Sequence, residues 1–280
     1  MRTNADHSGI TVIGSHLSEL YQGIDVGREY TDVTVRNSVF FNIDSWAIMK
    51  QYDIGGHGDS LKITESYFID CGNVAHFDHD GAKVYIYKTK AINSGTFLHA
   101  PRYDPSIHID RTLIKDGGRP IYAYVNGISD WPRFGGSVLF EHSTITGNSS
   151  SMYFGSDTEG PSTITYRDCV IKNDQIVEIE FIANSLSLEY CALEYGESSI
   201  QANNVNYDDY AVSNLVTENI YDTDAEGNLD PVSSAVDAGP ANEMDGHMPP
   251  GLGGVRADLG MYGGPGNTIW GGSEIPDGEP

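Results

Sequence analysis

The residues best suited to chemistry in this 280-residue chain crowd into one stretch. Five of its nine histidines (His57, His76, His79, His99, His108) and ten of its sixteen basic residues fall between 50 and 133. Here lie Lys50, the run His76-Phe77-Asp78-His79-Asp80, Arg102, and the tyrosines Tyr52, Tyr122 and Tyr124, with Tyr153 beyond. A Lys, His or Tyr can abstract a carbon-bound proton, while an Arg or a Ca²⁺ ion offsets the carboxylate charge as an enolate forms. On a uronate that is β-elimination after removal of the C5 proton. Lys50, His76, Asp78, His79, Arg102 and Tyr124 are therefore the candidate catalytic set. His76 or Tyr124 would be the base, and Arg102 or Lys50 would neutralise the carboxylate. Tyr52, Tyr122, Asn126, Trp131, Arg133 and Tyr153 are the candidate substrate contacts, with Trp131 a platform for a sugar ring. A plain polar sheet face would carry similar residues. A metal site from His76 and His79 is a weaker option, because His-x-x-His on a strand points to both faces.

Something must bring these scattered residues together, and the chain supplies a repeat. Rows begun at Ile10, Val33, Leu61, Val84, Ile107, Val138, Ile164 and Leu186 fall into register. Two residues on, the column reads Val12, Val35, Ile63, Ile86, Ile109, Phe140, Tyr166, Leu188. Five on, it is Ser15, Ser38, Ser66, Thr89, Thr112, Ser143, Cys169, Cys191, and seven on it is apolar again, from Leu17 to Leu193. Nine on, Asn or Asp recurs at Asn42, Asp70, Asn93, Asp116 and Asn173. A period in the twenties with two-residue alternation inside it is the mark of a solenoid. The small hydroxyl or thiol fits a tight inward corner, and the Asn or Asp fits a turn. A second inward run follows in most rows, as at Ala75 and Phe77 or Ile121 and Ala123. Each row thus predicts two or three short strands, pairing in parallel with the next row about 4.8 Å away. The expected fold is all-β: a right-handed parallel β-helix of about eight coils.

Coils are expected over 1–230, a capping segment over 231–270 and a disordered tail over 271–280. Two rows are long, and their surplus at 51–59 and 126–136 predicts loops flanking the binding face. No polar cap precedes the row at Ile10, so upstream coils or domains of a longer chain are expected. No stretch approaches the length of a membrane span. The net charge is −24, with 13 Lys and Arg against 16 Asp and Glu in residues 1–133 but 3 against 24 in 134–280. Such a back half argues against nucleic acid as a partner. It also opposes a polyanionic substrate unless Ca²⁺ bridges or the basic rows dominate locally. The three cysteines read as free thiols filling the core, and the alternative is an inter-coil disulfide between Cys169 and Cys191, neighbours in one column, which would require an oxidising compartment. No Walker loop, dinucleotide fingerprint, Ser-His-Asp order or CxxC pair is present.

The segment 231–264 runs Pro-Val-Ser-Ser-Ala-Val-Asp-Ala-Gly-Pro, then Glu243-Met-Asp-Gly, then Val255-Arg-Ala-Asp-Leu-Gly-Met-Tyr-Gly-Gly. It resembles the C-terminal signature of secreted bacterial right-handed β-helix repeat proteins, pectate-lyase-like in fold, at Asp237, Asp245, Gly246, Asp258 and Gly260. The resemblance implies the fold and an extracellular setting; the family spans lyases, hydrolases, epimerases and non-catalytic modules. Asp237, Asp245 and Asp258 would close the last coil or hold Ca²⁺. Asp78-His79-Asp80 is similar to the Asp-Pro-His-Asp/Glu motif of alginate C5-epimerases, with the Pro absent. Together these lead to an extracellular β-helix that binds or cleaves acidic polysaccharide. The alternatives are a non-catalytic spacer or adhesive module, and a uronate epimerase or glycoside hydrolase.

Overall fold

A computed structural model describes residues 8–26, 31–50, 59–77, 81–99, 106–124, 136–149, 152–155, 162–172, 177–179, 184–194, 209–220, 223–224, 227–246, 251–254, 256–264 and 267. The chain winds as a right-handed parallel β-helix with three sheets. Among the described residues the first sheet has nine strands: Ser8–Ile13, Thr31–Arg36, Ser60–Thr64, Lys83–Tyr87, Ser106–Asp110, Ser137–Glu141, Ser162–Arg167, Asn184–Glu189 and Asp209–Ser213. The second has eight: His16–Leu20, Val39–Ile43, Tyr67–Ile69, Lys90–Ile92, Leu113–Lys115, Thr144–Thr146, Val170–Lys172 and Ala192–Leu193. The third has seven: Ile24–Val26, Trp46–Lys50, Asn73–Phe77, Leu98–His99, Ile121–Tyr124, Met152–Gly155 and Val177–Ile179.

Row register and strand register coincide. Val35 pairs with Ile63, Ile63 with Ile86 and Ile86 with Ile109, and all four side chains are fully buried. The stack continues through Phe140 and Tyr166, whose rings lie 5.0 Å apart and nearly parallel. In the second sheet, Phe40 and Phe68 stack at 4.8 Å. The corner between these sheets is made by a left-handed residue in every coil: Gly14, Asn37, Glu65, Lys88, Arg111, His142, Asp168 and Tyr190 all have φ between 43° and 57°. The next residue is the Ser, Thr or Cys of the repeat. Its hydroxyl donates to the carbonyl two residues back, as Ser66 does to Thr64 at 2.8 Å, and accepts an amide from the coil before, as from Ser38 at 3.3 Å. A larger side chain would lose both bonds and clash. The Asn and Asp column is a second left-handed turn, at Asn42, Asp70, Asn93 and Asp116, a conformation these two residues tolerate best after Gly.

Cys71, Cys169 and Cys191 are free and buried. Burial pushes the Cys71 thiol up to about 11, so it sits in the core as a neutral group.

The C-terminal segment is the one expected to cap the coils. Its described part lies along the outer face of the second sheet. Ile220, Leu229, Ala235 and Leu259 bury Val170 and Ala192 there. The Met261 amide donates to Thr144 Oγ1, and Lys115 Nζ donates to the carbonyls of Thr223 and Asp224. Apolar residues on the outside of that sheet, Leu113 among them, account for this cover. The signature residues hold the segment's own turns. Asp258 accepts the amides of Asp237 and Leu252, Asp245 accepts those of Asp258 and Gly264, and Asp237 accepts that of Gly254. Gly260 has φ +87° and lies so close to Thr144 and Val170 that a Cβ there would collide.

Candidate functional site

The outer face of the third sheet is where the expected chemistry falls. Its outward column is Asp25, Met49, His76, His99 and Tyr122, and Tyr153 and Glu178 follow in backbone register. His76 and His99 occupy adjacent rungs with ring centroids 4.3 Å apart, and Tyr122 follows at 5.2 Å from His99. Trp46 extends the row, 5.0 Å from His76 and 6.1 Å from His99. The Arg119 guanidinium lies 5.8 Å over the Tyr122 ring. All five side chains are partly exposed. The face is thus a continuous strip of rings with one cation beside it.

Of the expected residues, His76 and Tyr122 stand together on this strip, while Tyr124 and Tyr153 are placed by their backbone, Tyr124 opposite Gly155. His99 and Trp46 belong to the strip but were not in the expected set. His99 had a signal: it follows His76 by 23 residues, the same interval that separates Leu61 from Val84. Tyr52, Asp78, His79, Arg102, Asn126, Trp131 and Arg133 lie outside the described residues. The third-sheet strands lead directly into their segments, at 51–58, 78–80, 100–105 and 125–135.

Lys50 is a correction. It pairs in register with Phe77, not with outward His76, and is fully buried. Its Nζ forms an ion pair with Asp59, equally buried, and sits 5.7 Å over the Phe77 ring. An inward lysine so placed cannot meet a substrate on the outer face.

The first sheet's outer face carries a second polar array, around a shallow groove of about 390 Å³ lined by Arg36, Lys62, Glu65 and Tyr87 among others. Much of its charge is neutralised internally: Arg36 pairs with Glu65, His108 with Glu141 at 2.8 Å, and Arg167 with Glu141 and Glu189. The His108 imidazole is raised above its ordinary range, chiefly by its hydrogen bond to Glu141.

A potential metal-binding group exists elsewhere. The ligand atoms of His142, Asp168 and Glu243 lie within 4.8 Å of one another, the one such group of His, Cys, Asp or Glu among the described residues. The expected Ca²⁺ set of Asp237, Asp245 and Asp258 does not converge in that way. Its carboxylates bind backbone amides instead, although Asp237 and Asp245 each keep one buried oxygen without a hydrogen-bond partner.

Comparison of the chain with models of protein families, with curated proteins and with solved structures gives no match in any of the three. The fold is the kind used both by carbohydrate-active and by structural β-helices, and the site is judged on its own geometry.

Proposed function

We propose that this is an extracellular carbohydrate-binding β-helix that takes acidic polysaccharide along the outer face of its third sheet. The observation that carries the reading is the ring strip Trp46, His76, His99 and Tyr122, with centroids 4.3–5.2 Å apart along it. Partly exposed rings in a line offer successive sugar units apolar surface with polar edges. Arg119 supplies positive charge for uronate carboxylates, within a chain whose net charge of −24 otherwise repels them. The terminal signature, pectate-lyase-like in type, fits the same extracellular reading.

Cleavage by β-elimination is the finer version, and the paired histidines favour it. His76 would take the C5 proton of a bound uronate. The electron pair would form the C4–C5 double bond, and the glycosidic C4–O bond would break, its oxygen leaving with a proton from a second acid or water. Lys50 has no part in this scheme.

The test is a panel of alginate, pectate and glycosaminoglycans, with and without Ca²⁺, read by calorimetric binding and by the ultraviolet absorbance of unsaturated product. Binding to at least one uronate polymer is the expected result, and unsaturated product would establish the lyase step. Absence of binding to every acidic polymer would overturn the proposal and leave a structural module.

A further inference from the structure

We propose that His142, Asp168 and Glu243 hold a divalent transition-metal ion, Zn²⁺ in kind, that fastens the C-terminal segment to the corners of two adjacent coils. The site lies away from the third sheet and does not depend on the carbohydrate reading. His142 and Asp168 occupy the left-handed corner column on successive rungs, where the His142 amide donates to the Arg167 carbonyl at 3.0 Å. A side chain at this corner points out of the coil, so the column stacks the two ligands. The C-terminal segment docks on the same corner by its backbone: the Gly260 amide donates to the Asp168 carbonyl at 2.8 Å, and Arg111 Nη1 donates to the Gly263 carbonyl. Glu243 arrives with that segment.

Three features point to a cation. First, Asp168 is 1% exposed, and neither carboxylate oxygen has a hydrogen-bond partner. A carboxylate taken out of water without hydrogen bonds is a costly arrangement, and a bound metal resolves it. Second, His142 Nδ1 lies 3.3 Å from Asp110 Oδ1. With Nδ1–H donated to Asp110, the Nε2 lone pair faces Asp168 Oδ2 at 3.8 Å and Glu243 Oε2 at 4.0 Å. A carboxylate behind a ligating imidazole is the usual means of fixing its tautomer. Third, these separations are too long for charge-assisted hydrogen bonds of about 2.7–2.9 Å. They fit two ligands that share one ion, each about 2.1 Å from it and so at most about 4.2 Å apart. Glu243, a third exposed, has the freedom to close the remaining gap.

Charge and donor type select the metal. Two carboxylates balance a divalent ion, and Asp110 is offset by Arg111, whose Nε lies 4.0 Å away. Nitrogen with two oxygens suits Zn²⁺, whereas Ca²⁺ seeks six to eight oxygens. The ligands are separated by 26 and 75 residues in the chain, so one ion would tie together elements that the repeat alone does not join.

The test uses the full chain stripped with EDTA near neutral pH and titrated by calorimetry with ZnCl₂ and separately with CaCl₂, alongside thermal melts and limited proteolysis. One Zn²⁺ per chain is expected, with a midpoint rise of about 5 °C or more at a hundredfold excess over Kd. Protection of the C-terminal segment from protease should accompany it. Glu243→Gln, at a partly exposed position, should remove the shift and keep the fold; His142→Ala should do the same. No stoichiometric Zn²⁺ binding, binding unchanged in both variants, binding with neither stabilisation nor protection, or a preference for Ca²⁺ would each overturn the proposal.

Discussion

Replacing Lys50 separates a structural lysine from a catalytic one. Both it and Asp59 are fully buried, and they form an ion pair. Lys50→Ala leaves the Asp59 carboxylate in the core without its counter-charge, a change that costs about 3–5 kcal/mol. At roughly 2–4 °C per kcal/mol for a chain of this size, the midpoint should fall by about 10 °C. Asp59→Leu should cost a comparable amount, because it strands the buried Lys50 ammonium in the same way. The double variant Lys50→Met with Asp59→Leu should recover wild-type stability or exceed it by about 1–4 kcal/mol, since apolar groups of similar volume avoid both desolvation penalties. The assay is a double-mutant cycle by thermal and urea unfolding, with polysaccharide binding measured on the double variant, which should retain it. Lys50→Ala melting within about 1 kcal/mol of wild type, or a double variant as unstable as the sum of the singles, would refute the reasoning. A double variant that is stable but unable to bind would return Lys50 to the site.

Gly95→Ala should destabilise by about 1–3 kcal/mol in chemical unfolding, because its Cβ would overlap the carbonyl oxygen of Gly72 in the coil before. The His108–Glu141 pair should give a pH signature. His108 is raised above 6.5 by the Glu141 hydrogen bond, so its contribution is complete below pH 6.5 and is lost as pH rises through the folded value. Glu141 is lowered below 4.5, so its share is present above pH 4.5 and is lost on acidification through its folded value. Since His108 is 37% exposed, solvent screening limits the effect to at most about 1 kcal/mol. The stability advantage of wild type over His108→Gln should therefore be larger at pH 5.5 than at pH 8.5, and an equal advantage at both would contradict the pairing.

The coil architecture was legible because each position of the repeat carries one physical demand. Val35, Ile63, Ile86 and Ile109 had to face inward, Ser66 and Thr112 had to fit a corner, and Asn42 and Asp70 had to fit a turn; all do so, and the structure adds that this turn is left-handed. The site was less legible. Setting Lys50 level with His76 assumes a 26-residue offset, whereas the register places Met49 opposite His76. A slip of one residue moves a strand's side chain to the other face, which took Lys50 from the surface to the core. His99 was reachable by the same row arithmetic. In the corner column, His142 and Asp168 are recognisable as neighbours 26 residues apart. Glu243 was not, since it reaches them through packing of a segment without the repeat. The segment's place along the second sheet was hidden for the same reason: the outward apolar residues Leu113, Val170 and Ala192 fall between the columns that define the coils.

The most direct test of the carbohydrate reading is calorimetric titration of the best-binding uronate polymer into wild type and into Trp46→Ala with His99→Ala. These partly exposed residues sit at two points of the ring strip. Stacking losses of about 0.5–1.5 kcal/mol per ring predict affinity weaker by roughly tenfold or more for the pair, with the melting midpoint little changed. Affinity equal to wild type in a folded double variant would contradict the account and remove the third sheet's face as the binding surface.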